Sequence, residues 1–109
     1  MDFNLAEQMA VLKSVDTIMR SDDRVYEGEA RFLTQLAAVL QFDLNLLKQA
    51  RDLDHEKAYT TLKAMPESKK YALGVMLQEA ASSDGRVSDR ELQLIANIFE
   101  RVGIETERL

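Results

Sequence analysis

Cysteine is absent from this 109-residue chain, which removes disulfides and thiolate metal sites together and suits a reducing compartment. Histidine occurs once, as His55, so no histidine pair can bind zinc within one chain. A serine triad would have to use that same ring, and no nucleophile-elbow pattern surrounds any serine. The four glycines stand apart from one another, so no phosphate-cradling loop is present. Together these absences predict a non-catalytic protein.

Proline is just as scarce. Pro66 is the single one, and with so few glycines it disfavours a turn-rich β fold. The longest apolar run, Tyr71 to Leu77, is far short of the roughly 20 residues a membrane span needs. The opening Met1-Asp2-Phe3-Asn4 lacks the basic and then apolar run of a secretory signal. A cytoplasmic, non-spanning protein is therefore expected. Positive charge is also in deficit: 14 Lys and Arg against 19 Asp and Glu leave a net charge of -5. An acidic surface repels phosphate backbones, so nucleic acid is not an expected partner. The one basic cluster, Lys69-Lys70 with Lys63 nearby, reads as a solvated helix face.

What remains is an ordinary globular composition, 46% hydrophobic and 30% charged. One domain over residues 1–109 can bury roughly two-thirds of its unfolded surface without a covalent staple. Apolar residues recur at helical spacing throughout. Leu5, Met9, Leu12, Val15 (or Asp16) and Met19 form a first stripe. Phe32, Leu33, Leu36, Ala37 and Leu40 form a second. Leu44, Leu47 and Ala50 suggest a short helix capped by Asp43, and Ala58, Leu62 and Met65 another capped by Asp54.

Pro66 ends that helix and suits the start of the next, which carries Ala72, Val75, Met76, Glu79 and Ala80. Leu92, Ile95, Phe99 and Val102 mark a last helix, with Leu94 and Ile98 on an adjoining strip. So wide a face predicts a place near the centre of the fold. Gly103 reads as its C-cap, with Ile104 folding back. The fold class predicted is all-α, a compact bundle of about six helices near 3–20, 27–40, 44–51, 55–64, 67–82 and 88–102. The methionines at core spacing (Met9, Met19, Met65, Met76) read as gap-filling core.

A shift of 62 residues lays the chain over itself. Ser21, Asp22, Arg24, Val25 and Glu29 recur as Ser83, Asp84, Arg86, Val87 and Glu91. Beyond them the hydrophobic phase agrees, with Phe32 on Leu94, Leu33 on Ile95, Leu36 on Ile98, Leu40 on Val102 and Phe42 on Ile104. The expected unit is a long helix, a tight acidic loop and an amphipathic helix. It is used twice, over about 5–43 and 67–105.

Each unit reads Asp-x-Arg-Val-x-x-x-Glu. On these residues the chain resembles the TerB family, which includes the tellurite-resistance protein and the N-terminal domain of the membrane-anchored co-chaperone DjlA. That family carries Asp-Gly-x-Ile/Val-x-x-x-Glu between two helices in each half of an all-helical domain. Asp84-Gly85-Arg86-Val87 with Glu91 matches it, and Asp22-Asp23-Arg24-Val25 with Glu29 departs only at Asp23. The resemblance implies a helical bundle without enzymatic activity, linked to metal or chemical stress and to partner proteins at the membrane surface. It also implies a divalent cation held by Asp22, Glu29, Asp84 and Glu91, with Asp23 as an extra carboxylate.

The same residues have a purely structural explanation. Asp-Gly is turn chemistry, and Ser88-Asp89-Arg90-Glu91 is a capping box in sequence. An EF-hand is excluded, because its third position would be Arg24 or Arg86 and the loop is too short. Two uses remain open: a cation-holding module, and a protein-interaction or self-association domain.

Overall fold

The computed structural model describes residues 2–20, 27–43, 45–82 and 89–104, the side chains of 27–30 and 39 excepted. The order is α1 (Leu5–Met19), α2 (Glu27–Leu40), α3 (Leu46–Asp52), α4 (His55–Lys63), α5 (Glu67–Ala81) and α6 (Asp89–Val102). No strand occurs among the described residues. The bundle is all-α, and its radius of gyration of 12.6 Å is that of a compact chain of this length.

α1 begins at a complete capping box. Asn4 Oδ1 accepts from the Glu7 N–H at 2.8 Å, and Glu7 Oε1 accepts from the Asn4 N–H at 2.9 Å. α1 is the central helix, packed against α3, α4, α5 and α6. Ala10, Val11, Leu12, Val15 and Ile18 are fully buried in it. This corrects the expectation that α6 lies at the centre. α6 buries one stripe, Glu91, Ile95, Ile98, Phe99 and Val102, and turns Leu92 out to 54% exposure. The breadth seen in its sequence comes from Leu92 and Leu94 flanking that stripe. In α5 Met76 and Ala80 are buried as expected, but Leu73 and Leu77 are fully buried beside them, Ala72 and Val75 only partly so, and Glu79 is exposed. Leu5, at the first residue of α1, is 60% exposed rather than buried.

Polar ties hold α1 in place. Asp16, almost fully buried, receives Arg51 of α3 through Nε at 3.2 Å and Nη2 at 3.0 Å, and Arg20 at 3.3 Å. Lys13 donates to the Arg51 carbonyl at 2.7 Å. Lys69 of α5 meets Glu7 at 2.7 Å and lies 5.4 Å from the Phe3 ring centre. Lys70 is drawn in toward Glu67 at 4.0 Å, its side chain only 12% exposed. The Lys69-Lys70 pair is thus structural and not the solvated face expected from sequence. His55 is exposed at the first residue of α4, as expected, 6.0 Å from the Tyr59 ring.

Two expected caps differ from the sequence reading. Asp54 sits at the N-cap of α4 but makes no side-chain cap bond. Asp43 accepts from the Asn45 N–H at 2.9 Å instead of capping α3, which begins at Leu46 after Asn45. Pro66 is the N-cap of α5, where its carbonyl accepts from Lys69 and Lys70.

The helix bounds themselves recur at the 62-residue spacing. Leu5–Met19 and Glu67–Ala81 lie that far apart, as do Glu27–Leu40 and Asp89–Val102. α2 and α6 also end alike. The Phe42 N–H donates to the Ala37 carbonyl at 2.8 Å after Gln41 at φ 60°, and Ile104 donates to Phe99 at 2.8 Å after Gly103 at φ 83°. Each is a Schellman ending, the second of which the sequence had marked.

Candidate functional site

The acidic motif falls on the segments between α1 and α2 and between α5 and α6. Asp22, Asp23, Asp84, Gly85 and Ser88 lie outside the described residues, and with them the Asp-Gly turn and the serine cap. Glu29 lies in the first turn of α2, its side chain likewise outside the description. Glu91 is the member of the set whose side chain is described. It lies in the first turn of α6, is 4% exposed, and is already engaged in an interaction.

That position was not foreseen. Glu91 stands where Leu92 was expected, at the head of the buried stripe Glu91, Ile95, Ile98, Phe99, Val102. An acid near a helix N-terminus is favoured by the orphan N–H groups and the macrodipole, which also makes burial of its charge tolerable. One carboxylate does not make a cation site. Among the described residues no group of three or more His, Asp or Glu side chains is placed to hold a metal.

Beyond the motif, two surface grooves are lined wholly by described residues. One runs between α1 and α6, walled by Thr17, Leu94, Asn97 and Ile98, and α4 closes its side with Tyr59. Arg101 lies there 5.0 Å from the Tyr59 ring centre and pairs with Glu56. That pairing holds the Arg101 guanidinium above its ordinary pKa, by the Glu56 hydrogen bond first and its charge second. The other groove is walled by Phe32, Gln35 and Leu36 of α2 and Glu79 of α5.

Electrostatics distinguish one further group. Burial pushes the Glu7 carboxyl upward, but the Lys69 hydrogen bond, the Asn4 N–H and the Lys69 charge outweigh it. Glu7 is held below its ordinary pKa. It is a structural carboxylate, missed in sequence because its partner lies 62 residues away.

Comparison with known protein families finds no match, and comparison with curated proteins finds none either. Among solved structures the chain is similar to a protein of unknown function from Porphyromonas gingivalis, with a TM-score of 0.81 and 26% identity. The likeness covers 97% of this chain and 83% of the other. It concerns the fold, and no activity comes with it. Among the described residues no helix is long and apolar enough to cross a membrane.

Proposed function

We propose that the chain is a non-catalytic, TerB-like helical module of the cytoplasm that works by binding another protein. The observation that carries this reading is the contrast between α2 and α6. Ile95, Ile98, Phe99 and Val102 of α6 are buried, whereas Phe32, Leu33, Leu36 and Leu40 of α2 are covered only in part. An amphipathic helix gains most of its stability by covering its apolar stripe, so a half-covered stripe is a surface suited to a partner. Scanning polar substitutions along α2 tests this against any captured partner. Loss of binding at Phe32 or Leu36 with an unchanged melting curve is the expected result, and indifference of binding to all four positions would reject the reading.

A divalent cation held by Asp22, Glu29, Asp84 and Glu91, with Asp23 beside them, is the second reading. What supports it is a carboxylate carried into the interior at Glu91. A cap and a ligand respond differently to the same change. Glu91→Gln keeps most of a capping bond but removes the charge that a hard cation requires. Thermal melts with chelator and with millimolar Ca²⁺, Mg²⁺, Mn²⁺ or Zn²⁺ decide it. A bound cation raises the midpoint by mass action, and the shift disappears in Glu91→Gln. No shift for any of the four ends the cation reading.

A further inference from the structure

The two grooves are made of corresponding residues. Subtracting 62 turns Leu94, Asn97 and Ile98 into Phe32, Gln35 and Leu36, and adding 62 turns Thr17 into Glu79. Each groove joins a long helix from one half to the amphipathic helix of the other: α1 with α6, and α5 with α2. They differ in what lies over them. α4 packs against both α1 and α6, with its Ala58 and Leu62 fully buried, and Met65, just past its end, is nearly so. Among the described helices none is packed comparably against α2.

We propose that the α2/α5 groove is a docking site for a basic amphipathic helix of a partner protein, which takes there the place that α4 takes over α1 and α6. The proposal rests on the interaction reading above and adds the site and the chemistry of its occupant. The shape argument comes from α4 itself, a helix that flanks the corresponding groove by packing against both α1 and α6, its apolar residues Ala58 and Leu62 four apart. Charge argues for a basic occupant. Lys69 and Lys70 of α5 are committed to Glu7 and Glu67, and Arg31 of α2 is also engaged. Exposed Glu79 makes none of the salt bridges among the described residues, on a chain of net charge -5. That charge opposes a second copy of the chain and favours a cationic helix.

The probe is a synthetic peptide of residues 53–66 of this chain carrying Glu56→Lys, titrated into ¹⁵N-labelled protein. Amide shifts are expected at Phe32, Gln35, Leu36 and Glu79. Affinity should fall about tenfold in Leu36→Gln, which removes apolar contact, and about threefold in Glu79→Lys. Position 79 is exposed, so that variant keeps the fold while reversing the charge. Shifts centred on Leu94 and Ile98, or no shifts at millimolar peptide, overturn the proposal. Sedimentation of the protein alone separates this failure from the wider one. A dimer lost in Leu36→Gln overturns the helix occupant while leaving protein interaction standing, and a monomer with an unresponsive groove removes both.

Discussion

α2 and α6 have the same length, the same hydrophobic phase and the same C-terminal hydrogen bond, yet one is buried and the other half-covered. Their sequences do not explain the difference, since the stripe of α2 (Phe32, Leu33, Leu36, Leu40) is as apolar as that of α6. The surroundings do. α6 is held by α1, α4 and α5, and α4 enters from outside either half as an added layer. Burial here is a property of the neighbour supplied, and the amphipathic pattern only states that a neighbour is wanted.

The sharpest way to break this comparison is to cut the same kind of side chain from both helices. Ile98→Ala leaves a cavity in a packed interior and is expected to cost about 2–4 kcal/mol. Leu36→Ala, at the corresponding place, should cost about 1 kcal/mol, because its environment can collapse and water already reaches it. Urea unfolding of both variants measures the ratio. Equal losses would show that α2 is packed as tightly as α6.

The polar tie between the halves comes next. Glu7→Gln leaves Lys69 partly buried without its charged partner and should cost about 1–3 kcal/mol at neutral pH. Glu7 has a folded pKa below its ordinary 4.5. Its contribution is therefore complete above about pH 4.5 and is lost as pH falls through the lower folded value. Stability measured across that acid window should fall more steeply in wild type than in Glu7→Gln. Parallel curves would remove Glu7 from the account.

The two helix endings provide a smaller and reciprocal test. Gly103→Ala puts a side chain at φ 83° and should cost about 1 kcal/mol; among the described residues the added Cβ meets only Lys70 Nζ, at 3.7 Å, so the strained φ is responsible. Gln41→Gly relieves the same strain in α2 and should gain about 0.5–1 kcal/mol. Opposite signs in the melting midpoints support two matched endings.

Sequence periodicity placed all six helices within about two residues of their observed bounds, because apolar spacing and Pro66 and Gly103 are local signals. It did not foresee the central place of α1. A helix covered by four neighbours looks the same in sequence as one covered by a single neighbour if its polar residues are paired, and Glu7 and Asp16 are paired by residues 62 and 35 positions away. Leu92 and Glu91 were exchanged for a related reason. Apolar character assigns Leu92 inward, but the phase of Ile95, Ile98 and Val102 places Glu91 there. Of the candidate acids the motif located the helix starts, and Glu91 alone can be followed to a described side chain.

Native-state hydrogen exchange of α2 against α6 measures the difference between the halves most directly. Amides at Leu33, Leu36 and Leu40 should exchange through openings of clearly lower free energy than those at Ile95, Ile98 and Val102, and the helix peptide should raise protection in α2 selectively. Equal protection of the two helices in the free protein would contradict the account, because α2 would then have no uncovered face to offer.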